Sequence, residues 1–180
     1  MKKSKHRRIS NEELKRKYNY YSRKIEKLWR DRQRTEAILY MSILIEFFIK
    51  ESILGFEKIV QAVALDAHVD FNPRNLYSKK DIENQPMGYL IRILDTYTED
   101  KNLIKDLTHF SQIRNDFVHN LLYHEIKSIN KKLEGVDKLF FELMIKLLGL
   151  NVNQIEFLET NFHFVCDSCF KETLSNQVKF

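Results

Sequence analysis

The chain has 180 residues, 43% of them hydrophobic, enough for one domain with a substantial core. Only 4 Gly and 2 Pro stand against 13 Phe and 8 Tyr, which argues against a sheet built on tight turns and for long helices. The net charge of +5 is uneven: residues 1–34 hold 14 Lys/Arg against 4 Asp/Glu, and the remainder 16 against 21.

That asymmetry confines the basic character to the N-terminal segment, a plausible footprint for a polyanion, although most charge runs are simply solvated. The most apolar run, Ala37–Ile49, is 13 residues long and contains Glu46, too short and too polar to span a membrane. No apolar region closely follows the basic N-terminus, so no signal peptide is expected. A cytoplasmic location with reduced thiols is the default for the two cysteines.

In chain order, Met1–Ile9 reads as a basic tail. Ser10 and Glu13 form a capping-box pattern. Leu14, Tyr18, Tyr21, Ile25 and Leu28 follow at steps of four and three, an apolar seam on a helix otherwise rich in Lys and Arg. The seam can pack on the body of the chain, its commoner use, or on a second subunit. From Thr35 to about Ala67 a long helix is expected, with Ile38, Met41, Ile45, Phe48 and Ser52 in one row and Gly55 as a point of bending or interruption. Glu46 is a candidate for pairing with an arginine across the core, or else a rim carboxylate.

His68–Gln85 reads as the longest loop, with a turn at Asn72-Pro73. Pro86 opens a short helix to Tyr97, with Tyr89, Leu90, Ile93 and Leu94 inward. Glu99 or Asp100 begins the next helix. Its apolar face is Leu103, Ile104, Leu107, Phe110, Ile113, Phe117 and Leu121, and it extends to about Tyr123. A helix over Glu125–Leu148, with Leu139, Phe140, Leu143 and Leu147 inward, is expected to stop at Gly149. Asn151 or Asn153 opens the last helix, through Ile155, Leu158, Phe162 and Val165.

Within the helix that starts near Asp100 lies Arg114-Asn115-Asp116-Phe117-Val118-His119. Asn115 and His119 are four apart, about 40° round a helix; Arg114 and His119 are five apart, about 140°. Arg114 needs its long side chain, a local distortion or a second subunit to reach His119. Arginine offers a permanent cation with a planar fork suited to phosphate. Histidine is the side chain best placed to move protons near neutral pH. The set is a minimal kit for phosphodiester cleavage without metal.

Arg114 to His119 resembles the Arg-x4–6-His signature of the HEPN superfamily, with Asn115 as the polar residue that often follows the arginine. The resemblance covers these six residues and the helical pattern of most of the chain. It implies an all-α, HEPN-like helical bundle over residues 35–180, preceded by the basic tail and helix that the charge distribution marks over residues 1–34. It implies a metal-independent endoribonuclease with Arg114, Asn115 and His119 as its catalytic residues, no cofactor, RNA as substrate and 2′,3′-cyclic phosphate products. It also implies a homodimer with a composite site, and a toxin–antitoxin, abortive-infection or antiviral-defence setting with a possible antitoxin or defence-system partner. In HEPN toxins paired with a nucleotidyltransferase antitoxin a tyrosine often stands two residues after the histidine. Here that position is Leu121 and the tyrosine is Tyr123, so that form of regulation is not implied. Two rivals are a catalytically silent HEPN-like binding module and a helical adaptor whose basic N-terminus binds nucleic acid or an acidic partner.

His163, Cys166 and Cys169 fall at three-residue steps on one helical face. A structural zinc site needs a fourth ligand, and there is no second cysteine pair, so buried cysteines are the preferred reading. No Gly-rich phosphate loop and no Gly-x-Ser-x-Gly elbow is present.

Overall fold

A computed structural model of the chain describes residues 11–66, 77–120 and 133–162, and the side chains of residues 11–14, 65 and 120 are not described. Among the described residues it is an all-α helical bundle without strands. Its helices are α1 (Asn11–Arg30), α2 (Arg34–Asp66), α3 (Lys79–Glu83), α4 (Met87–Tyr97), α5 (Lys101–Asn120) and α6 (Val136–Phe162). No helix among the described residues is long and apolar enough to cross a membrane.

The helix α2 is the axis of the bundle, packed against α1, α4, α5 and α6. Its expected row of Ile38, Met41, Ile45, Phe48 and Ser52 is buried. The seam of α1 closes on the same chain: Ile25 and Leu28 are buried, and Tyr18 and Tyr21 pack on the core. Tyr18 meets Phe48 edge-on, Tyr21 meets Tyr40, and Trp29 lies under Arg34. Rising residue numbers on α1 thus meet falling ones on α2, so the two helices are antiparallel.

Helix α6 runs parallel to α2. Met41 lines one groove with Asp137 and Phe141, and further along Ser52 accepts a 2.9 Å hydrogen bond from Asn151. Gln154 donates to the Ser52 carbonyl at 3.0 Å. The α4–α5 connection of Thr98, Glu99 and Asp100 is short enough to make those helices antiparallel neighbours. Asp100 caps α5 by accepting from the Leu103 N–H at 2.9 Å, as its position before the apolar periodicity suggests. Lys146 of α6 bridges Asp106 of α5 at 2.7 Å.

Several expectations need correction. Gly149 does not end a helix, and neither Asn151 nor Asn153 begins one: α6 is continuous over 27 residues. A single helical glycine costs only about 1 kcal/mol, which the buried Leu147, Gln154 and Leu158 on either side outweigh. Within the described part of the expected helix a break falls at Gly135, whose φ of +80° is left-handed, so α6 begins at Val136; residues 125–132 lie outside the described residues. Ile155 is exposed, and its neighbour Gln154 is buried in its place.

The segment read as loop contains α3, opened by a capping box in which Ser78 and Asp81 satisfy each other's backbone N–H. Hydrogen bonding to Ser78 holds the Asp81 carboxyl below its ordinary range. Gly55 does not interrupt α2. Glu46 pairs with Lys50 of its own helix at 2.7 Å, not with an arginine across the core. The basic tail, the Ser10 cap, Asn72-Pro73, Leu121, Tyr123 and the His163/Cys166/Cys169 set lie outside the described residues or side chains.

Candidate functional site

Two registers place the motif at one end of the bundle. Phe117 is buried and Ile113 half-buried, and both pack on the common core. They fix the rotation of α5, which turns Asn115, Val118 and His119 outward to solvent and leaves Arg114 half-buried at the edge. Since α5 runs back from its start beside α4, its last turns lie level with the first turns of α6 and α2.

Arg114 Nη1 donates to Asn115 Oδ1 at 3.0 Å. The guanidinium is thus folded toward its neighbour Asn115. Arg114 Nε is buried and has no hydrogen-bond partner among the described residues. No hydrogen bond among the described residues ties His119 to Arg114 or Asn115. His119 occupies the last turn of α5. The structure therefore joins Arg114 to Asn115 and brings His119 to the same exposed edge without closing the set. Among the described residues no cluster of His, Cys, Asp or Glu could hold a metal.

Two further features escaped the sequence. Glu57 is a buried carboxylate on α2 whose Oε1 accepts from the Tyr97 hydroxyl and, at 3.1 Å, from the Tyr77 N–H. Its Oε2 is buried without a partner among the described residues. Glu57 continues the four-step row of Ile45, Ile49 and Ile53, all fully buried, and that row was the signal available.

The second feature is a groove of about 280 Å³ between α1, α2 and α6. Ile25 and Met41 are its fully buried lining, Trp29, Asp137 and Phe141 are half-buried, and the exposed Glu26 and Arg30 mark its mouth. These residues come from distant parts of the chain, so no local spacing announces them. Met41 and Asp137 put the groove at the same end of the bundle as the motif.

Comparison of the chain with family models, with curated proteins and with solved structures returns no match.

Proposed function

We propose that this protein is a metal-independent endoribonuclease of the HEPN type. The observation that carries the reading is the placement of Arg114, Asn115 and His119 on the outward edge of α5, next to a core anchor that uses none of them. An arginine bonded to a neighbouring amide keeps its remaining donors directed along a fixed plane. That suits a phosphate group better than a freely rotating cation does.

In the proposed reaction Arg114 binds the scissile phosphate and stabilises the charge that grows on its equatorial oxygens. The RNA 2′-hydroxyl oxygen attacks phosphorus, its proton passes to a general base, and the bond to the 5′-oxygen breaks as that oxygen is protonated. His119 takes one of these two proton-transfer roles. The products are a 2′,3′-cyclic phosphate and a 5′-hydroxyl. Asn115 holds the Arg114 fork and offers its N–H2 to the phosphate.

The second proton-transfer group is supplied by His119 of a second copy. Val118, 44% exposed between Asn115 and His119, is the apolar residue such a contact would cover. A role in antiviral defence or toxin–antitoxin control rests on the family resemblance alone.

The test is cleavage of RNA in EDTA by wild type, Arg114→Ala and His119→Ala at matched oligomeric state. Cleavage by wild type alone, leaving cyclic-phosphate ends, is expected. Equal cleavage by all three, or none by a dimeric wild type, overturns the reading.

A further inference from the structure

The outer face of α1 carries an ordered pattern that the proposed chemistry does not use. Tyr20, Arg23, Lys27 and Arg30 fall within about 80° of helical arc and along about 15 Å of axis. The buried Ile25 and Leu28, with Tyr18 and Tyr21, occupy the opposite side. Tyr20 is 62% exposed, and Tyr21 holds its ring edge-on at 5.3 Å. No ion pair among the described residues engages Arg23, Lys27 or Arg30, whereas Lys24, off the stripe, is taken up by Tyr40 and Glu36. The stripe thus presents cations interleaved with an aromatic face, as strands of single-stranded nucleic acid require.

Arg30 belongs both to the stripe and to the mouth of the groove. Trp29, also in the lining, is braced by the Arg34 guanidinium, 5.2 Å from the ring. At about 280 Å³ the groove is just under the roughly 300 Å³ lower bound for small-molecule sites, a size for one base and not a whole nucleotide. Glu26 and Asp137 add carboxylate acceptors to the lining, which select for bases that present N–H donors. Guanine presents two adjacent ones, N1–H and the N2 amino group, a match for one carboxylate.

We propose that α1 and this groove form a binding site for single-stranded RNA, in which the Arg23–Lys27–Arg30 stripe holds the phosphates and the groove takes one guanine against Trp29 and Asp137. An anionic membrane is the poorer partner. The apolar face of α1 is consumed by α2, and no further apolar side remains among the described side chains of this helix to enter a bilayer. The choice of RNA over DNA rests on the nuclease reading above; the stripe and the groove do not.

Trp29 is the only tryptophan in the chain, so its fluorescence reports on the groove directly. The experiment titrates full-length His119→Ala protein with uridine oligonucleotides of about twelve residues, within the range of single-strand sites. One carries a single central guanosine, one a central inosine, which lacks the N2 amino group, and one only uridine. The guanosine oligomer is expected to quench Trp29 and to bind about tenfold more tightly than the all-uridine one, as one bidentate base contact gives. Inosine should fall near uridine.

Asp137→Asn, with Glu26→Gln as the alternative if it misfolds, should erase that preference and keep residual binding. The Arg23→Ala/Lys27→Ala/Arg30→Ala triple variant should lower the slope of log affinity against log salt by about 2, from about 0.7 per phosphate contact. Absence of quenching, equal binding of guanosine and uridine oligomers, an unchanged salt slope, tighter binding of the DNA analogue, or equal quenching by phosphatidylserine vesicles each overturns the proposal. Binding is read without cleavage, so the two readings fail separately. Wild type that binds guanosine RNA but does not cut sinks only the nuclease, and cleavage without guanosine binding sinks only this site.

Discussion

Gly55 of α2 and Gln154 of α6 interlock: a methyl group on residue 55 would stand 2.1 Å from Gln154 Oε1. The close approach lets Gln154 donate to the Ser52 carbonyl at 3.0 Å and, with Asn151 on the Ser52 hydroxyl, sets the register of α6 on α2. Alanine at position 55 gains about 1 kcal/mol of helix propensity but must displace a buried, hydrogen-bonded amide, at a cost of about 1–3 kcal/mol. The expected net effect of Gly55→Ala is a loss of about 1 kcal/mol in urea unfolding. Gln154→Ala should also destabilise, and the double variant should be no worse than Gln154→Ala alone. Additive losses would show that the two residues do not meet in this way.

The link between α1 and α2 holds an unusual residue. Arg32 has a φ of +60°, donates to the Trp29 carbonyl at 3.2 Å, and is followed by Gln33, which donates to the Leu28 carbonyl at 2.8 Å. These bonds make a Schellman cap in which arginine takes the place usually given to glycine. Left-handed backbone costs a side-chain-bearing residue about 1 kcal/mol. Arg32→Gly should therefore raise the unfolding free energy by about 1 kcal/mol, less the entropy glycine adds to the unfolded chain. A lowered melting temperature would contradict this account of the turn.

Most of the fold is legible because its helices bury stripes of regular spacing. Asp100 announces α5, and the rows on α2 and on the described part of α5, to Phe117, lie where periodicity puts them. The motif's exposed edge follows from Ile113 and Phe117 by helical geometry alone. What fails are choices that packing makes against local preference. Gly149 has the look of a stop, yet Gln154 and Leu158 beyond it have burial to gain against α2. Gly135, which does break the chain, lies in a segment with no local signal stronger than that of Gly149. The groove joins α6 to α1 and α2 through residues more than 90 positions apart, and no short window of sequence contains them.

Tyr97 supplies a test of the buried carboxylate. Its hydroxyl donates to Glu57 Oε1, and its ring stacks on Phe56 with centroids 5.4 Å apart. Burial, and then Glu57, push the phenol above its ordinary value of 10.0. A raised phenol means the fold favours the protonated form. The stabilisation is therefore complete below about pH 10 and is lost as pH rises through the folded-state value. Tyr97→Phe keeps the stack and removes the hydrogen bond, so it should cost about 1.5–3 kcal/mol near neutral pH. It should also flatten the decline in stability expected of wild type above about pH 10. Parallel declines in the two proteins would assign the alkaline loss to other groups.

Arg114 carries an internal conflict that separates stability from function. Its Nη1 is satisfied by Asn115 at 3.0 Å, while its buried Nε has no partner among the described residues. An unpaired buried donor is destabilising, and such residues persist where function needs them. Lysine at this position removes that donor and keeps the positive charge, but it loses the planar fork. Arg114→Lys is therefore expected to leave the unfolding free energy unchanged or to raise it by up to about 1 kcal/mol. RNA cleavage should fall by about 100-fold, the scale set by loss of one preorganised transition-state contact. RNA affinity, measured on a His119→Ala background, should change little, because the charge remains. If lysine instead destabilises the protein strongly, Arg114 is a structural residue of the α5 edge. If it preserves the cleavage rate, only the charge of Arg114 matters, and its geometry beside Asn115 does not.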